Sequence, residues 1–189
     1  MVTKQVSFYE EMTNVPFIIA GPGIHPRQKP VEDLLTQPTI DLLPTLCELA
    51  GIPVPSSKPG ISLAPFLKGE KQKRQHPYAA SEWHSEYEVT VSPGRMIRSP
   101  RYKYTHYLEG NGEELYDMLK DKGERRNLAH DPKYSKILAE HRALLDDYIR
   151  RTQDDYRSLK VEADKRWRSH APGYPNHEGP CARDIINRK

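Results

Sequence analysis

A short apolar run near the start of the chain constrains the fold more than any other segment. It covers residues 15–20 within the sequence FYEEMTNVPFIIAGPG (residues 8–23) and is followed by Gly21-Pro22-Gly23. A continuous apolar run that enters a tight turn is typical of a strand buried inside an α/β sheet. Such a strand needs neighbours on both sides, and the seven residues before Phe8 cannot supply them. The pattern therefore predicts that the chain is the carboxy-terminal part of a larger fold.

Composition agrees with a piece that packs against a missing partner. The chain has 189 residues, of which 36% are hydrophobic, and its mean hydropathy of -0.82 is low for an independent α/β domain. Its 29 basic and 26 acidic residues are spread along the chain and give a net charge of +3. This balance predicts a solvated mixed surface and no nucleic-acid partner. No apolar run approaches the roughly 18 residues of a membrane span. The sequence does not indicate a cellular compartment.

A helix is predicted over residues 41–50. Asp41 can cap it, Pro44 falls in its first turn, and Gly51 can end it. Its apolar stripe is expected to pack on the sheet that holds residues 15–20 and consists of Leu42, Leu43, Leu46, Leu49 and Ala50. Residues 53–76 predict a connector, whose anchoring side chains are Ile61, Leu63, Phe66 and Leu67.

Four strand candidates and a long helix follow the connector. The strands are predicted at residues 78–83, 95–98, 102–108 and 114–118, with a hairpin turn at 109–112, and their close spacing favours an antiparallel sheet. Asp131 and Pro132 open the helix as cap and first residue. The alternation of Leu115 with Tyr116 indicates a strand packed on that helix. The helix stripe runs through Tyr134, Ile137, Leu138, His141, Leu144, Leu145, Tyr148 and Ile149.

Five segments, taken in order, resemble the sulfatase family of the alkaline-phosphatase-like superfamily. They are YEEMTNVPFIIAGPGI, TIDLLPTLCELAGIPVP, GISLAPFLKGE, RMIRSPRYKYTHY and EELYDMLKDKGERRNLAHDP. The resemblance covers the carboxy-terminal portion of such an enzyme and implies an α/β fold class, here an α+β fragment. Residues 1–70 would end the α/β domain, residues 71–156 would form an antiparallel sheet packed on a long C-terminal helix, and residues 157–189 would be a polar tail.

The resemblance also implies a chemistry whose central groups lie outside this chain. Sulfatases attack sulfate esters with a formylglycine made from Cys or Ser in a Cys/Ser-x-Pro/Ala-x-Arg motif, and they hold a divalent cation, usually calcium, with oxygen ligands. Cys47 begins CELAG and Cys181 begins CARDI, so neither fits. We expect calcium and formylglycine in the complete enzyme, and neither a cofactor nor a metal ligand in this chain. Asp41 and Asp117 are expected to cap a helix and to form a turn.

Five residues are candidates for contact with substrate. A family lysine that stabilises the sulfate oxygens lies a few residues ahead of the Tyr-Glu pair, and Lys4 is the residue that can correspond to it; the alternative is a terminal surface lysine. Trp83 can stack on a sugar or aryl ring and His84 can bind its hydroxyls, or Trp83 is partly buried beside an ordinary surface histidine. Arg95 and Arg98 can meet sulfate or carboxylate groups, or face solvent.

The sequence therefore predicts the carboxy-terminal portion of a sulfatase that acts on a sulfated small molecule or sulfated glycan. Its partner would be the missing N-terminal catalytic region, without which the chain is expected to be inactive. Two alternatives stay open. One is part of a phosphonate or phosphate ester hydrolase of the same superfamily, and the other is a non-catalytic binding module derived from it.

Overall fold

The computed structural model describes residues 7–26, 31, 34–57, 59–71, 76–83, 93–108 and 112–158. The helices are α1 (Glu10–Thr13), α2 (Pro38–Leu49), α3 (Ala64–Leu67) and α4 (Ser135–Thr152), and 3-10 turns occupy Pro132–Tyr134 and Tyr156–Ser158. Among the described residues no helix is long and apolar enough to cross a membrane. The predicted tail at 157–189 lies almost wholly outside the described residues.

Four antiparallel strands form a sheet in the order β1-β2-β3-β4. They are β1 (Ala79–Trp83), β2 (Gly94–Arg98), β3 (Tyr102–Tyr107) and β4 (Glu113–Asp117). The four predicted strands are thus confirmed, with ends that differ by one residue. Most of the predicted turn at 109–112 lies outside the described residues, but the Tyr107 N–H donates to the Gly112 carbonyl at 2.8 Å.

The helix α4 packs across one face of the sheet, which we call the inner face. Asp131 caps the start by accepting from the Lys133 N–H at 3.1 Å, as predicted, but the first turn at Pro132 is 3-10. Leu138 and Leu145 of α4 pack into a core with strand residues such as Ile97, Tyr104 and Leu115. The other stripe positions are buried or border this core. The predicted stripe is therefore confirmed, because burial selects the side chains that recur with the helical period.

The helix α2 begins three residues earlier than predicted, at Pro38. Proline is favoured in the first turn of a helix, since its missing N–H is not needed there. Asp41 still caps the helix, from inside it, because its carboxylate accepts from the N–H of Gln37 at 2.7 Å. Pro44 lies in the middle of α2, so its placement in the first turn was wrong. Gly51, at φ +67°, ends the helix as predicted.

The predicted buried strand at residues 15–20 is wrong, because the segment forms no strand and Ile18 is 84% exposed. The α2 stripe is exposed as well, with Leu46 at 50%, while the buried side of the helix carries Asp41, Pro44 and Thr45. A strand of this kind needs strands beside it, and the described residues contain none outside the β1–β4 sheet. Within the described ranges, residues 15–20 and the α2 stripe therefore have no sheet of the predicted kind to pack on.

Polar contacts tie α2 to the connector and to the edge of the sheet. Asp41 accepts from the Ile61 N–H at 2.8 Å and lies 2.7 Å from Nε2 of His76. The side chain of Gln37 accepts from the Ala80 N–H of β1 at 2.9 Å. Leu63 is buried in the connector, whereas the other predicted anchors are half-buried. The connector is thus anchored by polar contacts to α2 as much as by apolar side chains.

Candidate functional site

The segment around α1 covers the outer face of the sheet, opposite α4. Phe8 is buried, and its ring centroid lies 5.9 Å from that of Tyr107. A methyl group added at Gly94 would lie 2.6 Å from Cε2 of Phe8, so glycine at this position allows the close approach. Tyr9 adds a second ring contact, 6.4 Å from Tyr116. The chain is thus held against the sheet four residues after Lys4, which itself lies outside the described residues.

Buried charges fix the same segment. Nζ of Lys103 lies 2.9 Å from Oε1 of Glu10 and 2.9 Å from Oε1 of Glu124. The second oxygen of Glu124 accepts from the Glu10 N–H at 2.7 Å. Lys103 is fully buried, so its ammonium depends on these carboxylates to compensate the loss of water. Arg98 approaches Glu10 at 3.7 Å, and its side chain also donates to the Ser99 carbonyl.

Glu114 completes this group of charges with an unusual protonation equilibrium. Burial, followed by the nearby charge of Glu124, raises the pKa of Glu114 to about 7, although Lys103 opposes the shift. Burial and the charge of Glu114 also raise the pKa of Tyr107 and of Tyr116. The net charge between α1 and the sheet therefore changes near neutral pH.

Trp83 ends β1 at the edge of the sheet and is half-buried. It pairs with Gly94, and paired residues share a face, so Trp83 lies on the same face as Phe8. Its indole nitrogen is buried, and no hydrogen-bond acceptor for it is found among the described residues. A buried N–H without an acceptor is costly, so an acceptor from elsewhere would be favoured. His84 lies outside the described residues, as Lys4 does, whereas Trp83 is among the candidates that the structure places.

Arg95 reaches the backbone of Trp83 from the inner side of the sheet. Its Nη1 donates to the carbonyls of Trp83 at 3.0 Å and Gly94 at 2.8 Å. Its Nε and Nη2 donate to the two carboxylate oxygens of Asp154 at 2.6 and 2.8 Å. The guanidinium carbon lies 4.4 Å from the centroid of the Tyr156 ring. Arg95 is thus paired with a carboxylate of this chain, and its predicted contact with a substrate sulfate or carboxylate stays a prediction.

The residues after α4 form the support beneath this end of the sheet. Tyr156 is fully buried, and its hydroxyl donates to the His106 carbonyl at 2.8 Å and lies 2.8 Å from Nδ1 of the same histidine. Burial lowers the pKa of His106. Sequence reasoning missed Asp154 and Tyr156, because they follow the helical stripe and carry no motif. Their position beyond the end of a long amphipathic helix is a weak signal at best.

Asp117 and Asp41 have the structural roles predicted for them. Asp117 accepts from Nη2 of Arg101 at 2.7 Å and from the Leu119 N–H at 3.3 Å, and the hydrogen bond from Arg101 lowers its pKa.

Across the described ranges, no group of three or more His, Cys, Asp or Glu side chains is arranged to hold a metal ion. Cys47 is a free thiol, and Cys181 lies outside the described residues.

The family assignment follows from comparison with known proteins. Residues 3–151 match the family described as N-sulphoglucosamine sulphohydrolase, C-terminal. The chain belongs to the sulfatase family. It corresponds to the carboxy-terminal portion of these enzymes, as the sequence motifs indicated, and its helices and small antiparallel sheet agree with the expected α+β fragment.

Close relatives of this sulfatase portion have assigned activities. A Delta 4,5-hexuronate-2-O-sulfatase of Bacteroides thetaiotaomicron is 76% identical over the whole chain, which spans 39% of that protein. A solved 2-O GAG sulfatase is 77% identical with a TM-score of 0.83 over 98% of this chain and 40% of that one. A structure with D-glucosamine-2-N,6-O-disulfate as its substrate is 27% identical, with a TM-score of 0.55 over 62% of this chain and 25% of that one.

Proposed function

We propose that this chain is the carboxy-terminal portion of a sulfatase that removes a 2-O-sulfate from an unsaturated hexuronate. The observation that carries the proposal is the 76% identity, over every residue of the chain, to the Bacteroides hexuronate-2-O-sulfatase. A sulfated glycan fragment is therefore the expected substrate class. The phosphonate or phosphate ester alternative is supported by a more distant relative, a phosphonate monoester hydrolase that is 25% identical.

Within the complete enzyme, this portion would bind and orient the substrate. Lys4 would stabilise the charge that develops on the sulfate oxygens, Trp83 would stack on the uronate ring, and His84 would donate a hydrogen bond to a hydroxyl group. Two observations support the grouping. Phe8, four residues after Lys4, is packed on the sheet face that also carries Trp83, and the Trp83 indole N–H has no acceptor among the described residues.

The nucleophile and the metal would come from the region that this chain does not cover. Formylglycine would supply the attacking oxygen, and calcium would be held near it by oxygen ligands. The described residues offer no metal cluster, and neither Cys47 nor Cys181 begins the maturation motif. We therefore propose that the rest of the complete polypeptide contributes both groups.

A fusion protein tests the proposal. The part of the Bacteroides thetaiotaomicron relative that this chain does not match is joined to the present chain, and formylglycine formation is verified by mass spectrometry. We expect the fusion to release sulfate from a 2-O-sulfated unsaturated uronate disaccharide in preference to choline sulfate, an aryl sulfate or a phosphonate monoester.

The outcomes separate the competing functions. A folded, matured fusion that prefers the phosphonate ester would replace the sulfatase proposal with the phosphonate alternative. A fusion that binds the disaccharide in calorimetry but does not hydrolyse it, while the unaltered relative does, would favour a non-catalytic binding module.

A further inference from the structure

We propose that Arg95 is a positioning residue for Trp83, held in place by the segment that follows α4. The proposal deepens the function above and rests on it, because the contact between Trp83 and the substrate belongs to that function. Arg95 itself has no access to substrate from the described surface, since it is fully buried. Its effect would pass through the strand end that presents the indole.

The guanidinium joins the two strands at the end of the sheet that carries Trp83. Trp83 and Gly94 are paired residues of β1 and β2, and one nitrogen of Arg95 donates to the carbonyls of both. The strand β1 is at the sheet edge, so no strand among the described residues fixes its other side. A donor that spans both backbones therefore limits how far the end of β1 can twist or shift.

Asp154 orients the guanidinium from the opposite side. The chain turns sharply after α4 because Gln153 adopts φ +55°, and the Asp154 N–H then donates to the Ile149 carbonyl at 3.0 Å. This turn presents both oxygens of Asp154 to Arg95 in a bidentate pair. Such a planar fork is specific to arginine, since lysine offers a point charge with no fixed arrangement of donors.

Tyr156 closes the network on the remaining side of the guanidinium. Its ring lies against the guanidinium, and its hydroxyl donates to the His106 carbonyl of β3. The network thus connects the end of α4 to three strands through contacts that share Arg95 or Tyr156. Trp83 is the member that ends on the outer face of the sheet, where Phe8 also packs.

The test uses two arginine substitutions in the fusion protein. Arg95→Lys keeps the positive charge beside Asp154 but loses the fork that reaches the Trp83 carbonyl. Arg142→Lys is the matched control. Arg142 of α4 forms a bidentate pair with Glu113 of β4 and, in the part of the chain that the structure describes, does not contact Trp83. We expect Arg95→Lys to raise KM for the uronate disaccharide about tenfold, the equivalent of one aromatic contact, with little change in kcat. KM for an alkyl sulfate without a ring should stay unchanged, and Arg142→Lys should alter neither.

Fluorine NMR of fluorotryptophan-labelled protein supplies a readout that does not depend on activity. The Trp83 resonance is assigned by its loss in Trp83→Phe. We expect it to shift or broaden in Arg95→Lys and to remain unchanged in Arg142→Lys. If Arg95→Lys does not fold, Asp154→Asn keeps the shape of the pair and is expected to move the resonance in the same way.

The results distinguish the inference from the function on which it rests. A Trp83 resonance and a disaccharide KM that both stay at their original values in folded Arg95→Lys would overturn the positioning role. If the unaltered fusion did not hydrolyse the disaccharide while the Trp83 resonance still moved in Arg95→Lys, the proposed substrate would be wrong and the positioning of Trp83 would be supported.

Discussion

The apolar surface of α4 is buried against the sheet, whereas the apolar surface of the α2 segment is largely exposed. In the sheet unit, Leu145 and Ile97 are almost completely buried against each other's elements. In the α2 segment, the equivalent stripe residue Leu46 is half exposed and Ile18 still more so. Both helices carry a regular apolar stripe, so the local signal is the same. The difference is that the chain supplies a partner surface for α4 and, among its described residues, none for the α2 stripe.

The two regions also use charge differently. Between α1 and the sheet, Lys103 is buried with Glu10 and Glu124, an arrangement that stabilises a fold only when every member is in place. Around α2, the Asp41 carboxylate accepts hydrogen bonds from the backbone N–H groups of Gln37 and Ile61. Electrostatic contacts thus order both regions, but apolar burial within the described residues supports mainly the first.

The largest expected effect concerns catalytic activity, which a folded sheet unit alone does not provide. The isolated chain should have no sulfatase activity, because loss of a covalent nucleophile typically removes on the order of 8 kcal/mol or more of barrier lowering. Purified chain is assayed with an aryl sulfate and calcium, and the fusion protein serves as positive control. Turnover that survives re-purification and rises linearly with protein concentration would contradict the assignment of the nucleophile to the missing region.

Matched leucine truncations measure the comparison directly. Leu145→Ala should lower the free energy of unfolding by about 2–5 kcal/mol, as expected for a cavity in a packed core. Leu46→Ala in the isolated chain should change it by less than about 0.5 kcal/mol, as at ordinary surface sites. Urea unfolding provides both values. Equal losses would show that the α2 stripe is covered in the isolated chain.

The pH dependence of stability tests the buried carboxyl of the sheet unit. The folded pKa of Glu114, about 7, lies above its unfolded value, so the folded state binds the extra proton between these two pKa values. Glu114 therefore lowers the free energy of unfolding as pH rises from about 4.5 to 7. The whole pKa shift corresponds to a loss of about 3 kcal/mol.

Glu114→Gln should remove this decrease. Burial lowers the pKa of His106 and His141, which makes stability rise with pH over part of the same range, so the difference between the two proteins is the quantity to measure. Parallel curves of unfolding free energy against pH would show that Glu114 is ordinarily solvated.

The exposed stripe of α2 should also be detectable as a surface property. Contiguous apolar patches are unusual on monomers, so we expect the isolated chain to associate and to bind a hydrophobic dye, and Leu46→Lys to reduce both. The fusion protein should bind less dye than the isolated chain. A monodisperse, dye-free isolated chain with a sharp unfolding transition would argue against a missing partner.

A modest effect is expected for Asp117 at the end of β4. Its carboxylate accepts hydrogen bonds from Arg101 and from the backbone of the turn. Asp117→Ala should therefore lower the free energy of unfolding by about 1 kcal/mol. In the fusion, the melting temperature should fall and the calcium requirement should stay unchanged. A variant of normal stability that needs much more calcium would mean that Asp117 acts on the metal site.

The sequence by itself determined the elements whose signals are local. The four strands, the cap at Asp131 and the α4 stripe were predicted because alternation, turn residues and helical period need no distant partner. The family was likewise apparent from ordered motifs. The start of α2 was missed because Asp41 and Pro38 both resemble the beginning of a helix, and the contact of Asp41 with Gln37 resolves the choice.

Only the tertiary structure decided which apolar runs are buried and which polar groups meet. The run at residues 15–20 has the pattern of a buried strand, but burial depends on neighbouring strands that are absent from the described residues. Arg95 pairs with Asp154, which lies 59 residues later in the chain. Lys103 pairs with Glu124, whose backbone adopts φ +51° in a turn. Local sequence encodes propensity, whereas burial and ion pairing depend on surfaces brought together from distant parts of the chain.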